Sequence, residues 1–299
     1  MSSHLDPRLR IDHPDDGICR LTITSPETHN AQDTALIDAI DQGLMSASRD
    51  PSIRVIIVAA QGKHFSSGHD LKEQNIYAAT AELTPRGSWV DDTGIGIEPQ
   101  MGREIELYLG MCERWRDLAK PTIAQVQGGC IAGGLTLAWP CDLIVAADDA
   151  WFMDPTVALG VNGHEYFVHA LELGVRKAKE FLFTGMRLSA AEALACGMVN
   201  RVVPSDQLEA ETLALATRIA QQPVFALKLT KMAVNAAEDA MGRYTTLKTS
   251  FALHQLAHSQ NMQVHGCLVD PAGLGPALSD IDLANISGRR RGATASDDE

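Results

Sequence analysis

No two of the six cysteines form a C-x-x-C pair, and their gaps run 93, 18, 11, 55 and 71 residues. That pattern excludes a zinc framework and a disulfide scaffold, and makes reduced thiols in a cytoplasmic protein the expectation. Positive charge is also in short supply: 25 Lys+Arg stand against 38 Asp+Glu, a net −13. Such a balance argues against nucleic acid or a membrane surface as a partner, although a local basic patch can still hold an anionic ligand. A long unbroken apolar run is missing. The greasiest stretch, 130–147, is interrupted by Pro140, Asp142 and two glycines, a poor membrane span. The polar, Asp-rich stretch 1–17 does not read as a signal peptide. Neither a Gly-Lys-Ser/Thr phosphate loop nor G-x-G-x-x-G occurs, and no serine sits in a G-x-S-x-G elbow. No metal site is expected: His164 and His169 are five apart, off the spacing of one helical face, and no H-x-x-x-H or similar metal pair is read on a helix.

What is present is a chain of 299 residues, 45% hydrophobic, long enough to bury a full core. Ile18–Thr24, Arg54–Ala60, Thr122–Gln127, Asp142–Ala147 and Met198–Val203 read as strands. Arg54–Ala60 is a continuous β-branched run, as in a strand buried on both faces. Thr34–Arg49 reads as a helix, with Ile37, Ile40, Leu44 and Ala47 on one face. Strands alternating with helices predict an α/β domain. From Asp206 onward only helices are read, over 208–222, 224–240 and 244–260, with Ser189-x-x-Glu192 and Asp206-x-x-Glu209 as capping boxes. The segment 74–102 is read as a long loop, and 287–299, with Arg289-Arg290-Arg291, as a disordered tail.

Two glycine turns carry the chemistry. His64-Phe-Ser-Ser-Gly68-His69-Asp70-Leu71-Lys72 follows one buried strand, and Gln127-Gly-Gly-Cys-Ile-Ala-Gly133-Gly134-Leu135 follows another. Glycine there permits positive φ and close approach of a ligand to the backbone. The second turn leads into an apolar helical run whose first amides point outward toward negative charge.

These turns are joined in order by Lys120-Pro-Thr-Ile-Ala-Gln-Val-Gln-Gly128, Cys141-Asp-Leu-Ile-Val-Ala-Ala147, Arg187-Leu-Ser-Ala-Ala-Glu-Ala193 and Gly197-Met-Val-Asn-Arg-Val-Val-Pro204. The series resembles the crotonase (enoyl-CoA hydratase/isomerase) superfamily over roughly residues 11–240. The resemblance implies a spiral of ββα units (core 11–204), a helical oligomerisation region (205–262) and an irregular tail (263–299). It implies a homotrimer or dimer of trimers, with Phe251, Leu253 and Leu256 as part of an apolar stripe. It also implies an acyl-CoA substrate, with coenzyme A entering as part of that substrate and no bound cofactor. The backbone N–H groups of His69 and Gly133 fall where relatives hold the thioester oxygen. The turn Ser67–Leu71, including Asp70, falls where relatives hold the adenine end, and Lys72 toward phosphate.

The sequence departs from the hydratases at the two positions where they carry glutamates, which hold Thr136 and Thr156 here. Threonine is neither an acid nor a base at neutral pH. The proton carriers expected instead are His164 and Glu165 in Gly160–Tyr166, with Asp154 and the His69 side chain as further candidates. The alternatives left open are an isomerase, a thioesterase, an enzyme of C–C bond chemistry, or a silent acyl-CoA binding protein. The segment 74–102, with Trp89, Ile95 and Ile97, is expected to shape the acyl pocket.

Overall fold

The computed structural model describes residues 6–73, 76–81 and 96–275. Strands β1 (Leu9–Asp15) and β2 (Ile18–Ile23) pair antiparallel. Parallel strands β3 (Val55–Ala60), β4 (Thr122–Val126), β6 (Leu143–Ala147) and β9 (Arg201–Val203) extend the sheet in the order β1-β2-β3-β4-β6-β9. All six β3 residues are buried, as a strand covered on both faces requires. A second, smaller sheet orders β5 (Gly129–Ile131), β7 (Trp151–Met153) and β8 (Leu188–Ser189). The chain climbs by repeating one move: a strand in the large sheet, a short strand in the small sheet, then a helix. Thus β4 and β5 lead to α5 (Gly133–Ala138), and β6 and β7 lead to α6 (His169–Leu173) and α7 (Val175–Thr184). This is the expected α/β spiral of ββα units.

The helix α1 (Thr34–Arg49) starts where Asp33 accepts from the Leu36 N–H at 2.9 Å, and it buries Leu36, Ile37, Ile40, Leu44 and Ala47. The segment read as a long loop contains α2 (Ile76–Ala81) and most of α3 (Glu98–Glu104). Pro99, read as an interruption, sits in the first turn of α3, where its missing N–H costs nothing. Trp89 and Ile95 lie outside the described residues, as does the arginine-rich tail. From α3 a π turn (Ile105–Leu109) runs straight into α4 (Gly110–Arg116), closed by the Gly110 N–H donating to Ile105 O. Such π turns often mark functional positions in a helix.

The capping box at Ser189 and Glu192 forms at the start of α8 (Ala190–Ala195). The one expected at Asp206 does not. Ser205–Gln207 is a 3-10 turn, and Glu209 pairs with Arg20 instead. Helix α9 (Leu208–Ala220) packs across β3, β4 and β6. Helix α10 (Val224–Ala240) buries none of its residues. Helix α11 (Arg243–His265) turns a polar face inward, with His254, Gln255, His258 and Asn261 buried. Phe251, expected in an exposed stripe with Leu253 and Leu256, packs into the core instead, while the two leucines are exposed. Among the described residues no helix is long and apolar enough to cross a membrane.

Candidate active site

The two glycine turns meet at the edge of an open cleft. Gly68 has φ +95°, and a Cβ there would lie 2.8 Å from Ile131 O and 2.9 Å from Gly133 N, so the turns approach this closely only with glycine. Gln32 staples them. Its buried side-chain amide donates to Ser66 Oγ at 2.8 Å and to Gly133 O at 2.9 Å, while Ser66 Oγ donates to Asn30 O at 2.8 Å. No motif in the sequence marked Gln32 or Asn30, because their partners lie far along the chain and meet them only through the fold.

The result is two adjacent amides. A Cβ on Gly133 would sit 2.9 Å from His69 N. Among the described residues neither N–H is paired with an acceptor. That of Gly133 is in the first turn of α5, where no intrahelical partner exists. Ala132, just before it, is held at φ 44° and ψ −107°, a strained conformation for a residue with a side chain.

The His69 ring stacks on Tyr108 with centroids 3.9 Å apart, and its Nε2 lies 3.3 Å from Glu165 Oε2. A carboxylate only accepts, so Nε2 carries a proton, and in the neutral ring Nδ1 then keeps a lone pair. That Nδ1 is buried and has no partner among the described residues. Burial pushes the Glu165 pKa upward, but His69 and then His254 outweigh it and hold the carboxyl below its usual range. His164 is buried beside His169 and Trp139, and among the described residues neither of its ring nitrogens has a partner. Burial, reinforced by His169, drives its pKa down to about 3, so the ring is neutral.

Of the residues singled out in the sequence, Ser67, His69, Asp70, Leu71, Gly133, Thr156, His164 and Glu165 line this one cleft. Thr136 and Asp154 do not. The Thr136 hydroxyl donates to Gly133 O at 2.6 Å inside α5. Asp154 is fully buried behind the wall, accepting from Thr156 N and Oγ1 (3.1 and 2.6 Å) and His164 N (3.1 Å), with His169 Nε2 at 2.8 Å. Its oxygens brace the turn that carries Thr156 and the loop that carries His164. The side chain of Lys72 is exposed at the end of the first turn.

The opposite wall was not read from the sequence. It comes from α3, the π turn and α11, and presents Glu104, His254 and His258. The spacing His254-Gln-Leu-Ala-His258 is an H-x-x-x-H pair on one helical face, so the expectation that no such pair exists is corrected here. His258 Nδ1–H donates to Leu268 O at 2.6 Å and its Nε2 lies 3.1 Å from Glu104 Oε1. The ligand atoms of Glu104, His254 and His258 lie within 4.8 Å of one another, as do those of Asp154, His164 and His169. Either group could geometrically hold a metal ion. In both, however, the carboxylate oxygens are already occupied by hydrogen-bond donors.

Burial opposes charge on His258, but Glu104 outweighs it and raises the pKa from 6.5 to about 9, while Glu104 itself is held below its ordinary 4.5. A raised histidine pKa contributes stability that is present in full below pH 6.5 and is lost as pH rises through about 9. A depressed carboxyl loses its contribution as pH falls below 4.5. The melting temperature is therefore expected to fall between pH 6.5 and about 9. The fall should be shallower in His258→Gln, as thermal scans across that range will show.

Three comparisons bear on this site. The family profile described as enoyl-CoA hydratase/isomerase matches residues 13–87 and 105–268. EchA13 of Mycobacterium tuberculosis is 39% identical over 269 residues, covering 86% of this chain and 83% of its own. The crystal structure of a probable enoyl-CoA hydratase from Mycobacterium thermoresistibile is similar with a TM-score of 0.80 and 44% identity, covering 89% of this chain and 100% of that one. One from Mycobacterium smegmatis has a TM-score of 0.79 at 44% identity, covering 88% and 99%.

Proposed function

Because this chain belongs to the enoyl-CoA hydratase/isomerase family, we propose that it transforms an acyl-CoA thioester held by the His69 and Gly133 amides, with Glu165 and the His69 ring moving the proton. The observation that carries this reading is the pair of adjacent, unpaired N–H groups beside a histidine whose free Nδ1 belongs to the same cleft. Two such donors stabilise the oxyanion that forms when the thioester carbonyl enolises or is attacked. Glu165, ionised and 3.3 Å from Nε2, orients the imidazole and offsets the charge that develops when Nδ1 accepts a proton from carbon. Neutral His164 supplies hydrogen bonds in the same cleft rather than a strong base.

This assignment places the acid–base work away from Thr136 and Thr156. Both hydroxyl protons are committed, to Gly133 O and to Asp154 Oδ1. Hydration of crotonyl-CoA is therefore expected to be far slower than in a relative with two glutamates, since each positioned acid or base supplies on the order of 10²–10⁴-fold. The primary test is calorimetry with acetyl-CoA, CoA and free acetate, followed by mass-spectrometric turnover of an acyl-CoA panel. The thioester should bind and the free acid should not. If neither thioester nor CoA binds below millimolar concentration, the reading fails. Binding without turnover of any member would favour an acyl-CoA binding protein.

The exposed face of α10 supports a trimer or dimer of trimers. Phe225, Met232 and Val234 are 71, 66 and 64% exposed, and Leu253 and Leu256 of α11 add further unpartnered apolar surface. Light scattering at micromolar concentration should report the closed assembly, and a monomer would refute it.

A further inference from the structure

Where α3 meets α4 the helix widens by one residue. In an unbroken α-helix, residues five apart point about 140° away from each other, since each residue turns about 100°. The π turn Ile105–Leu109 removes that offset. Tyr108 comes round to the side of Arg103, five residues back, and Arg103 Nη1 donates to its hydroxyl at 2.9 Å. Gly110 closes the turn, and a Cβ there would lie 2.6 Å from Ile105 O. Arg103 is itself buried and held. Its other N–H groups donate to Thr80 Oγ1 and Thr34 Oγ1, each at 3.1 Å, and Glu73 Oε2 lies 3.6 Å away. The buried Tyr108 ring is thus fixed at its hydroxyl end, and burial pushes its pKa up, so the phenol stays neutral.

The face of that ring carries the His69 imidazole, with centroids 3.9 Å apart and planes 21° from parallel. The Nδ1 edge of the imidazole meets Gly133, where a Cβ would lie 2.8 Å from both Nδ1 and Cε1. The Glu165 contact at Nε2 decides which nitrogen faces the carboxylate, but one contact leaves the ring free to tilt about it. The Tyr108 face fixes the plane. An aromatic face also attracts a cation, so it stabilises the ring more after it has taken a proton than before. Only an interaction that strengthens along the reaction speeds the chemical step.

We propose that Tyr108 is a positioning residue for the reaction, setting the plane of the His69 ring and stabilising its protonated form, and that the π turn is what brings it there; the inference rests on the acyl-CoA reading above, in which His69 accepts the proton. Tyr108 acts through its ring face. Its hydroxyl anchors the ring to Arg103 and transfers no proton.

The stack is read first, by proton NMR on the unaltered chain with no substrate added. The ring C–H protons of His69, assigned by their loss in His69→Gln, should lie upfield of those of exposed His13, shifted by the tyrosine ring beneath them. Tyr108→Leu should return them downfield, and Tyr108→Phe should not. Turnover is then followed for whichever member of the acyl-CoA panel the unaltered chain accepts. Tyr108→Leu should lower kcat roughly tenfold at constant CoA affinity, and Tyr108→Phe, which keeps the face and loses the hydroxyl, should recover most of that loss. The spectra of the unaltered chain and the kinetics of Tyr108→Phe stand even where Tyr108→Leu fails to fold. His69 signals at the His13 positions, or normal kcat in folded Tyr108→Leu, overturn the proposal. So does a Tyr108→Phe chain as slow as Tyr108→Leu, because the hydroxyl would then be the acting group. Normal turnover in His69→Gln, or no thioester bound or turned over at all, removes the reading on which the role of Tyr108 rests and that role with it; the upfield signals would still report the stack, so the two failures are told apart.

Discussion

Gly133→Ala should cut turnover of an accepted thioester by about 10²–10³-fold while leaving CoA affinity nearly unchanged. The added methyl group would lie 2.8 Å from the His69 ring and 2.9 Å from His69 N. Real Cβ atoms do not approach that closely, so one of the two turns has to move. Gly133 itself has no positive φ, so the effect is one of space rather than of backbone conformation. Displacing either amide removes one donor to the oxyanion, worth about 2.7–4 kcal/mol. The nucleotide end of CoA is expected at the Ser67–Leu71 backbone and should be less affected. Steady-state kinetics with calorimetry for CoA separates the two. Normal turnover in a folded Gly133→Ala chain would mean that these amides do not hold the reacting carbonyl.

The parts of this site that could be read from the sequence are those that sit at strand ends. A buried strand followed by a glycine turn is a local pattern, and both turns follow from it; the choice of the His69 and Gly133 amides within them came from the resemblance to the crotonase superfamily. Helix α1 was legible for the same kind of reason: one apolar face at steps of three and four, bounded by Asp33 and Arg49. The strand β1 was missed because it is an edge strand that reads as polar, with Arg10, His13 and Asp15 exposed. Strands β7 and β8 are three and two residues long, too short for any period to register.

The opposite wall failed to register for a more instructive reason. Beyond Phe251, helix α11 reverses the usual sense of amphipathicity: its buried face holds His254, Gln255, His258 and Asn261, and its exposed face holds Leu253, Leu256 and Val264. A search for apolar periodicity finds the face that awaits a partner and overlooks the face that lines the cleft. The cleft tolerates that polar face because its buried groups are largely paired, Glu104 with Gln100 and His258, and His258 with Leu268 O. His254 Nε2, without a hydrogen-bond partner among the described residues, is an exception, lying 3.7 Å from Glu104 Oε2 and 3.9 Å from Glu165 Oε1.

The choice of proton carrier gives the second large effect. Glu165→Gln is expected to lower turnover by about 10²–10⁴-fold at constant CoA affinity, because the amide keeps the shape but cannot balance a protonated His69. The introduced amide could also present its NH₂ to His69 Nε2, which would turn the ring to the wrong tautomer. Asp154→Asn should behave differently. Asp154 is out of the cleft, and burial of its charge is offset by His169 and by the Thr156 and His164 donors that hold the carboxyl below its usual range. Neutralising it breaks a buried pair, which typically costs about 3–5 kcal/mol of stability. The loss should appear in the melting temperature more than in the chemical step. His164→Ala tests the neutral ring between them and should weaken turnover less than Glu165→Gln. The comparison needs the true substrate, and kcat read beside CoA affinity for each folded variant. If Asp154→Asn alone abolishes kcat in a chain that melts normally, while Glu165→Gln turns over as before, the proton passes through the wrong carboxylate in this scheme.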